Sequence, residues 1–156
     1  EFLCYRLLYQ ILTGSLANLS RMLASLKPQF KRHAYVQYAK QVYSALISQN
    51  YYRLFGRLYD RVPGMGRHLF DIFMEKLREQ YLRILTKSHA PTRLSVDFLR
   101  DSLGYTEKTE ASFMKFVSKY KVILCDDDIH MVDCKRTFES LVEMEADTSG
   151  GASGTK

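Results

Sequence analysis

Two cysteines and a histidine near the C-terminus are the first candidates for chemistry. Cys125, His130 and Cys134 lie within ten residues of one another, and thiolates and imidazoles are the ligands that zinc prefers. A structural zinc site requires four ligands, however, and no obvious fourth ligand lies nearby in the sequence. We therefore predict no metal here and assign these residues to core or surface positions of a β-hairpin.

Two other short motifs resemble ligand-binding loops without meeting their requirements. The run Asp126–Asp128 lacks the alternating oxygen ligands, the central glycine and the closing glutamate of a calcium loop. Gly64-Met65-Gly66 follows a helical pattern, where a dinucleotide fingerprint follows a strand, and it has no third glycine. We expect a solvated turn at the first motif and a turn between helices at the second.

Catalytic side chains are not grouped along the chain. His33, His68 and His89 are scattered, with no serine, cysteine or aspartate at a spacing that would join them in nucleophilic catalysis. We predict no enzyme activity and no cofactor. Three cysteines, an odd number without paired spacing, predict no disulfide framework and a reducing compartment, the cytosol or the nucleus.

The elements that must position any site are mainly helical. The strongest patterns lie in residues 50–89, where apolar residues recur at steps of three and four on both sides of a break at residues 63–66. In the first of these two helices Arg53, Arg57 and Arg61 follow one another at spacing four, opposite the apolar stripe. Further helices are predicted before this stretch over residues 1–12, 15–26 and 33–49.

The pattern changes after residue 90. A short extended segment is predicted at 92–95, followed by helices over 96–103 and about 107–120, and then by strands 122–125 and 129–132 that flank the Asp126–Asp128 turn. This order is that of a winged helix. The predicted fold is therefore mostly α, with stacked helical hairpins followed by a winged helix that carries a small β-hairpin. Its divisions are a helical half (1–90), a winged-helix half (91–146, with a last amphipathic helix from Arg136) and a disordered tail (147–156).

Charge is unevenly distributed along the chain. The formal net charge is +6, but residues 1–121 carry a net +11 and residues 122–156 a net −5. A basic surplus attracts polyanions or acidic partners. The opening EFLCYRLLYQIL is interrupted by charge and too short to span a bilayer, so we interpret it as part of an internal fragment and expect no membrane association.

Two basic groups are candidate nucleic-acid contacts. The first is carried by or follows the second helix of the winged helix, the element that enters a groove in DNA-binding members of this fold class: Lys108, Lys115, Lys119 and Lys121. The second is the arginine stripe Arg53, Arg57 and Arg61, which could steer RNA or dock an acidic peptide. For both groups a merely solvated helix face remains an alternative.

The acidic hairpin tip argues against the standard winged-helix pose on DNA, because its carboxylates would repel phosphates. We therefore expect sequence-tolerant binding directed at the nucleic-acid backbone. A protein partner is expected on the exposed hairpin edge and the last helix, since an uncovered strand edge offers unpaired backbone groups. The predicted interface residues are Ile129, Met131, Val132, Phe138 and Leu141.

Four segments resemble a known family. EFLCYRLLY, QNYYRLFGRLYDRVPGM, VDFLRDSLGY and MVDCKRTF are similar to PCI-domain proteins of the Sac/GANP family, and the second segment is most similar to the Thp-three-like (leukocyte receptor cluster) subgroup. The resemblance spans roughly residues 1–142. It implies a nuclear location, with the cytoplasm also open, and a scaffold role in transcription-coupled mRNA processing and export.

The same resemblance implies three partners. These are a second PCI-domain subunit, a small acidic Sem/DSS-type peptide, and RNA or DNA bound across the joined winged helices. An alternative is a pure assembly subunit of a complex like the proteasome lid or the COP-nine signalosome, without nucleic-acid binding.

Overall fold

The computed structural model describes residues 2–106 and 109–150, with only the backbone described for residues 16 and 147–150. It is mostly helical, and its helices are α1 (Phe2–Leu12), α2 (Leu16–Ser25), α3 (Pro28–Lys31), α4 (Ala34–Ile47), α5 (Tyr51–Arg53), α6 (Gly66–His89), α7 (Val96–Ser102), α8 (Glu110–Lys119) and α9 (Cys134–Gly150). Helix α5 continues into a π-helical turn (Leu54–Leu58) and a 3-10 turn (Tyr59–Arg61).

The chain divides into two compact units, unit 1 (Glu1–Leu77) and unit 2 (Arg78–Lys156). The division falls within α6 and not at the predicted boundary after residue 90. Leu82 and Leu85, in the last turns of α6, belong to the hydrophobic core of unit 2. This explains why the boundary between the two units precedes the end of α6.

In unit 1, α1 lies against α2 and α4, and α4 contacts the π-helical turn. The face of α1 that enters the core carries Cys4, Leu7, Leu8 and Ile11. Burial raises the pKa of the Cys4 thiol from 9.0 to about 11, because the thiolate would lose its hydration there. Phe2 and Tyr9, on the same helix, are exposed.

The segment 51–61 begins with an ordinary helical cap. The Asn50 side chain accepts a hydrogen bond from the Arg53 N–H at 3.0 Å. The helical hydrogen bonds then span five residues and not four, since the Tyr59 N–H donates to the carbonyl of Leu54, as in a π-helix. The Tyr38 hydroxyl donates to the Leu58 carbonyl at 2.8 Å. Burial raises the pKa of Tyr38, followed by a contribution from Cys4, so this hydroxyl keeps the proton that it donates.

The predicted turn between helices at residues 63–66 is confirmed, with its C-terminal residue already in α6. Gly64 adopts a φ of +53°, a conformation that residues with a Cβ rarely take. A Cβ on Gly66 would lie 2.7 Å from Cγ1 of Val62. Gly64 thus supplies the backbone conformation of the turn, and a side chain at Gly66 would require Val62 to move.

Unit 2 has a compact aromatic core. Tyr105 packs on Phe113 with ring centroids 5.4 Å apart, and Phe116 packs on Tyr120 at 4.6 Å. Arg78 covers this core at its edge, with its guanidinium carbon 3.8 Å from the Tyr105 ring centroid. Its Nε also donates to the Leu103 carbonyl at 2.9 Å. This arginine therefore joins α6 to the end of α7 by stacking and by hydrogen bonding.

The predicted hairpin is present only in part. The sheet consists of β1 (Arg93–Ser95) and β2 (Met131–Asp133), which pair antiparallel with Leu94 opposite Val132. The segment 122–125 is not a regular strand and contributes one isolated bridge, from Leu124 to Val132. It still lies antiparallel to β2, since the Cys125 N–H donates to the Met131 carbonyl at 2.8 Å and the Asp133 N–H donates to the Ile123 carbonyl at 2.9 Å. The buried Thr137 side chain also accepts a hydrogen bond from the Ile123 N–H at 3.0 Å. Val132 is consequently covered on both sides.

The order of elements in unit 2 otherwise follows the prediction: a short strand, two helices, a second strand and a last helix. Helix α8 begins at Glu110, three residues later than expected. Helix α9 continues through 147–150, which corrects the predicted disordered tail for those four residues, where no proline interrupts the helix. Residues 151–156 lie outside the described part of the chain. The winged-helix and PCI assignments themselves stay predictions.

Candidate nucleic-acid interface

The arginine stripe lies on the outward side of the segment 51–61. Tyr51, Leu54, Phe55 and Leu58 are buried and fix the inward side, which leaves Arg53, Arg57 and Arg61 exposed. Within residues 2–106 and 109–150, none of these three guanidinium groups forms an ion pair or a hydrogen bond. Among the described residues, no carboxylate is therefore paired directly with these three charges.

The acidic residue in the same segment is already paired. Asp60 lies 3.7 Å from the guanidinium of Arg67, and Arg67 also stacks over the Tyr59 ring at 5.0 Å from its centroid. Residues 1–77 as a whole hold eleven Lys/Arg and four Asp/Glu, a net +7, whereas residues 78–156 hold twelve and thirteen, a net −1. The basic surplus therefore belongs to unit 1.

The lysine group lies in unit 2. Lys115 and Lys119 are one turn apart on α8 and exposed, whereas Phe113 and Phe116 on the same helix are buried. The Lys119 ammonium lies 5.5 Å from the Tyr120 ring centroid. Lys121 follows the helix with a φ of +47°.

The remaining predicted lysine, Lys108, lies outside the described residues, so the structure does not place it. The arginine stripe belongs to unit 1 and the α8 lysines to unit 2.

The acidic loop is less repulsive than the sequence indicated. Asp127 forms an ion pair with Arg93 at 3.1 Å, and Asp126 forms one with Arg136 at 3.2 Å. Asp128 accepts a hydrogen bond from the His130 N–H at 2.9 Å and so stabilises the turn. These ion pairs are exposed and contribute little to stability, but they reduce the local negative potential.

The cysteines of this region are core residues. Cys134 and Cys125 are buried, and burial, with smaller contributions from Asp133 and Cys125, raises the pKa of the Cys134 thiol. A raised pKa disfavours the thiolate that zinc binds. Among the residues that the structure describes, no group of three or more His, Cys, Asp or Glu side chains is arranged to hold a metal ion.

The predicted partner surface is only partly available. Ile129 is 71% exposed, and Met131 and Phe138 are partly buried. Val132 and Leu141 are buried in the core of unit 2, so neither side chain forms part of a surface. The expectation of an exposed hairpin edge fails at Val132 because β1 pairs with one side of this residue and Leu124 with the other.

Sequence reasoning missed one apolar surface of unit 1. An open groove of about 460 Å³ has Tyr5, Tyr9, Met65 and Leu69 in its lining, and the Tyr5 hydroxyl accepts a hydrogen bond from the Met65 N–H at 3.0 Å. The exposure of Phe2 and Tyr9 on the same helix could be found only from the structure. Their spacing is also that of a buried helical face.

Comparison with known proteins now defines the class. The SAC3/GANP family matches residues 1–126 of the chain, and the chain belongs to this family. No solved structure matches the chain. In the described part of the chain, no helix is long and apolar enough to cross a membrane.

Individual relatives agree with the Thp-three-like subgroup. The chain is 37% identical over 107 residues to a THP3 homolog from Schizosaccharomyces pombe, covering 69% of this chain and 27% of the relative. It is 32% identical over 135 residues to the leukocyte receptor cluster member 8 homolog of Xenopus laevis, covering 86% and 16%. It is also 33% identical over 107 residues to SAC3 family protein A of Arabidopsis thaliana, covering 68% and 10%. The chain thus spans about a quarter or less of the length of these relatives.

Proposed function

We propose that this chain is a non-enzymatic scaffold of a nuclear PCI complex that binds a second PCI subunit and nucleic acid during transcription-coupled mRNA processing and export. Membership of the SAC3/GANP family supports the scaffold role and its setting. The observation that carries nucleic-acid binding is the arginine stripe, which is exposed and unpaired among the described residues of a unit with a net charge of +7.

Charge layout also supports the mode of binding. Guanidinium groups bind phosphate oxygens in bidentate fashion, and contacts with phosphates carry no direct sequence information. Lys115 and Lys119 provide a second cationic surface on α8. Binding of this type is sequence-tolerant and weakens steeply as salt is raised.

The test is an electrophoretic titration of the protein with single-stranded RNA and with duplex DNA at two salt concentrations. The proposal predicts complexes with at least one of these at low salt and their loss at high salt. Charge reversal of Lys115 and Lys119 to Glu should weaken nucleic-acid binding at low salt. The same variant should still bind a partner subunit. The absence of any complex at low salt would overturn nucleic-acid binding.

A second candidate, a pure assembly subunit, is favoured by the exposed apolar groove of unit 1 and by Ile129. Exposed apolar patches mark protein interaction surfaces, and the groove contains aromatic and methionine side chains of the kind enriched in interface cores. Under this alternative the Lys115 and Lys119 reversals leave nucleic-acid retention unchanged, and Ile129→Asp abolishes assembly.

A further inference from the structure

We infer that the outward face of the segment 51–61 holds an unpaired base of a single-stranded nucleic acid against the Tyr52 ring, with Arg53 and Arg57 on the adjoining phosphates. The inference rests on the proposed nucleic-acid binding and names its substrate class. The Tyr52 ring adds an aromatic contact to the row of charges formed by the arginine stripe.

Tyr52 is exposed for no reason that the fold supplies. Its side chain is 68% exposed, and in the described ranges of the chain its ring and hydroxyl have no partner. Other tyrosines of unit 1 use their hydroxyls to hold the fold: Tyr5 accepts from Met65, Tyr38 donates to Leu58, and Tyr59 donates to Asp71 at 2.6 Å. A large ring that is left in water next to cations is suited to bind something else.

The surroundings of the ring fit a base and its backbone. Arg53 is the next residue, and Gly56 lies four residues on, the spacing that places two residues on one face of a helix. Apart from its two chain neighbours and the backbone of its own helix, no atom of the described residues lies within 4 Å of the position that a Cβ on Gly56 would occupy. Gly56, which has no side chain, therefore takes up no space beside the Tyr52 ring. Arg57 is the residue after Gly56.

These features favour an unpaired strand over a duplex and over an acidic peptide. The bases of a duplex are stacked inside it, whereas a single strand can place a base on an exposed aromatic ring. The aspartate and glutamate side chains of an acidic peptide could pair with the arginines but offer no aromatic ring to the tyrosine. Because any base has a π-face, the contact is sequence-tolerant.

The test measures fluorescence anisotropy of the chain with labelled oligouridine RNA, with single-stranded DNA and with a duplex of equal length. Stacking on one aromatic ring predicts that Tyr52→Ala weakens binding of single strands by about fivefold or more, leaves the duplex unchanged, and is rescued by Tyr52→Phe. Tyr9→Ala, which removes another exposed ring of unit 1, serves as the matched control and should leave all three unchanged. Thermal unfolding of each variant checks that the fold is retained.

Loss of affinity for either the RNA or the DNA strand supports the inference. It is overturned if Tyr52→Ala binds both strands like the wild type, or if it weakens duplex binding equally. It is also overturned if the substitution weakens binding of a polyglutamate peptide and leaves nucleic acid unaffected. Failure of the proposed function has a different result, since the wild type would then bind none of the nucleic acids at low salt.

Discussion

Replacement of Arg53, Arg57 and Arg61 by glutamine should change the salt dependence of nucleic-acid binding more than it changes the fold. All three side chains are exposed and, among described residues, make no ion pair. Surface substitutions of this kind usually alter the free energy of unfolding by less than about 0.5 kcal/mol each. Any loss of binding can then be attributed to the missing charges.

The size of the effect follows from counterion release. Each phosphate contact on a single strand contributes about 0.7 to the slope of log K against log salt. Three lost contacts should therefore make the slope shallower by about 2. Between 50 and 200 mM salt, the wild type should lose about 20-fold more affinity than the glutamine variant.

A matched control separates local contact from general charge. Arg21, Arg32 and Lys40 are also exposed cations of unit 1, and their replacement by glutamine removes the same three charges. Binding to a labelled single strand is measured by anisotropy over a series of salt concentrations for both variants. If the two triple variants show the same slope, then the stripe is not a site and only the net charge of unit 1 matters.

Three further predictions concern assembly, packing and ionisation. Ile129→Asp, at an exposed position, should reduce capture of a PCI partner in a pull-down without lowering the melting temperature. Phe113→Ala, in the core of unit 2, should lower the free energy of unfolding by about 3–5 kcal/mol in a urea titration. Burial raises the pKa of Cys4 from 9.0 to about 11, so its contribution is fully present below pH 9 and is lost as pH rises through about 11. Urea titrations of the wild type and Cys4→Ala at pH 8 and pH 10.5 should therefore show a smaller stability difference at the higher pH.

Helical periodicity gave reliable positions for most elements, because the long patterns satisfy one geometry over several turns. The helix predicted from the apolar repeat at Phe70, Phe73 and Leu77 is present as α6, which has 24 residues. The exposure of Arg53, Arg57 and Arg61 was likewise predicted and is confirmed. That they lack ion pairs within the described residues could not be predicted, because it depends on which acidic residues the fold places nearby.

The errors arose where packing over long sequence distances decides the structure. An apolar run such as 122–125 has the same composition whether it forms a regular strand or an extended segment, and here it makes only one bridge to β2 and a further hydrogen bond to Thr137. The strand β2 pairs with β1, far earlier in the chain, so the local hairpin pattern did not reveal the covered sides of Val132. The π-helical turn also has no sequence signal in its apolar spacing.

The buried hydroxyl of Thr137 has a consequence for which side chains this position can accept. Valine has nearly the same shape and would fill the same volume, yet it would leave the Ile123 N–H without its acceptor. Serine would keep the oxygen while losing a methyl group. Tolerance at this position should therefore follow chemical identity more than size, and related chains with a different hydrogen-bonding group there would be expected to have a different path between α8 and β2.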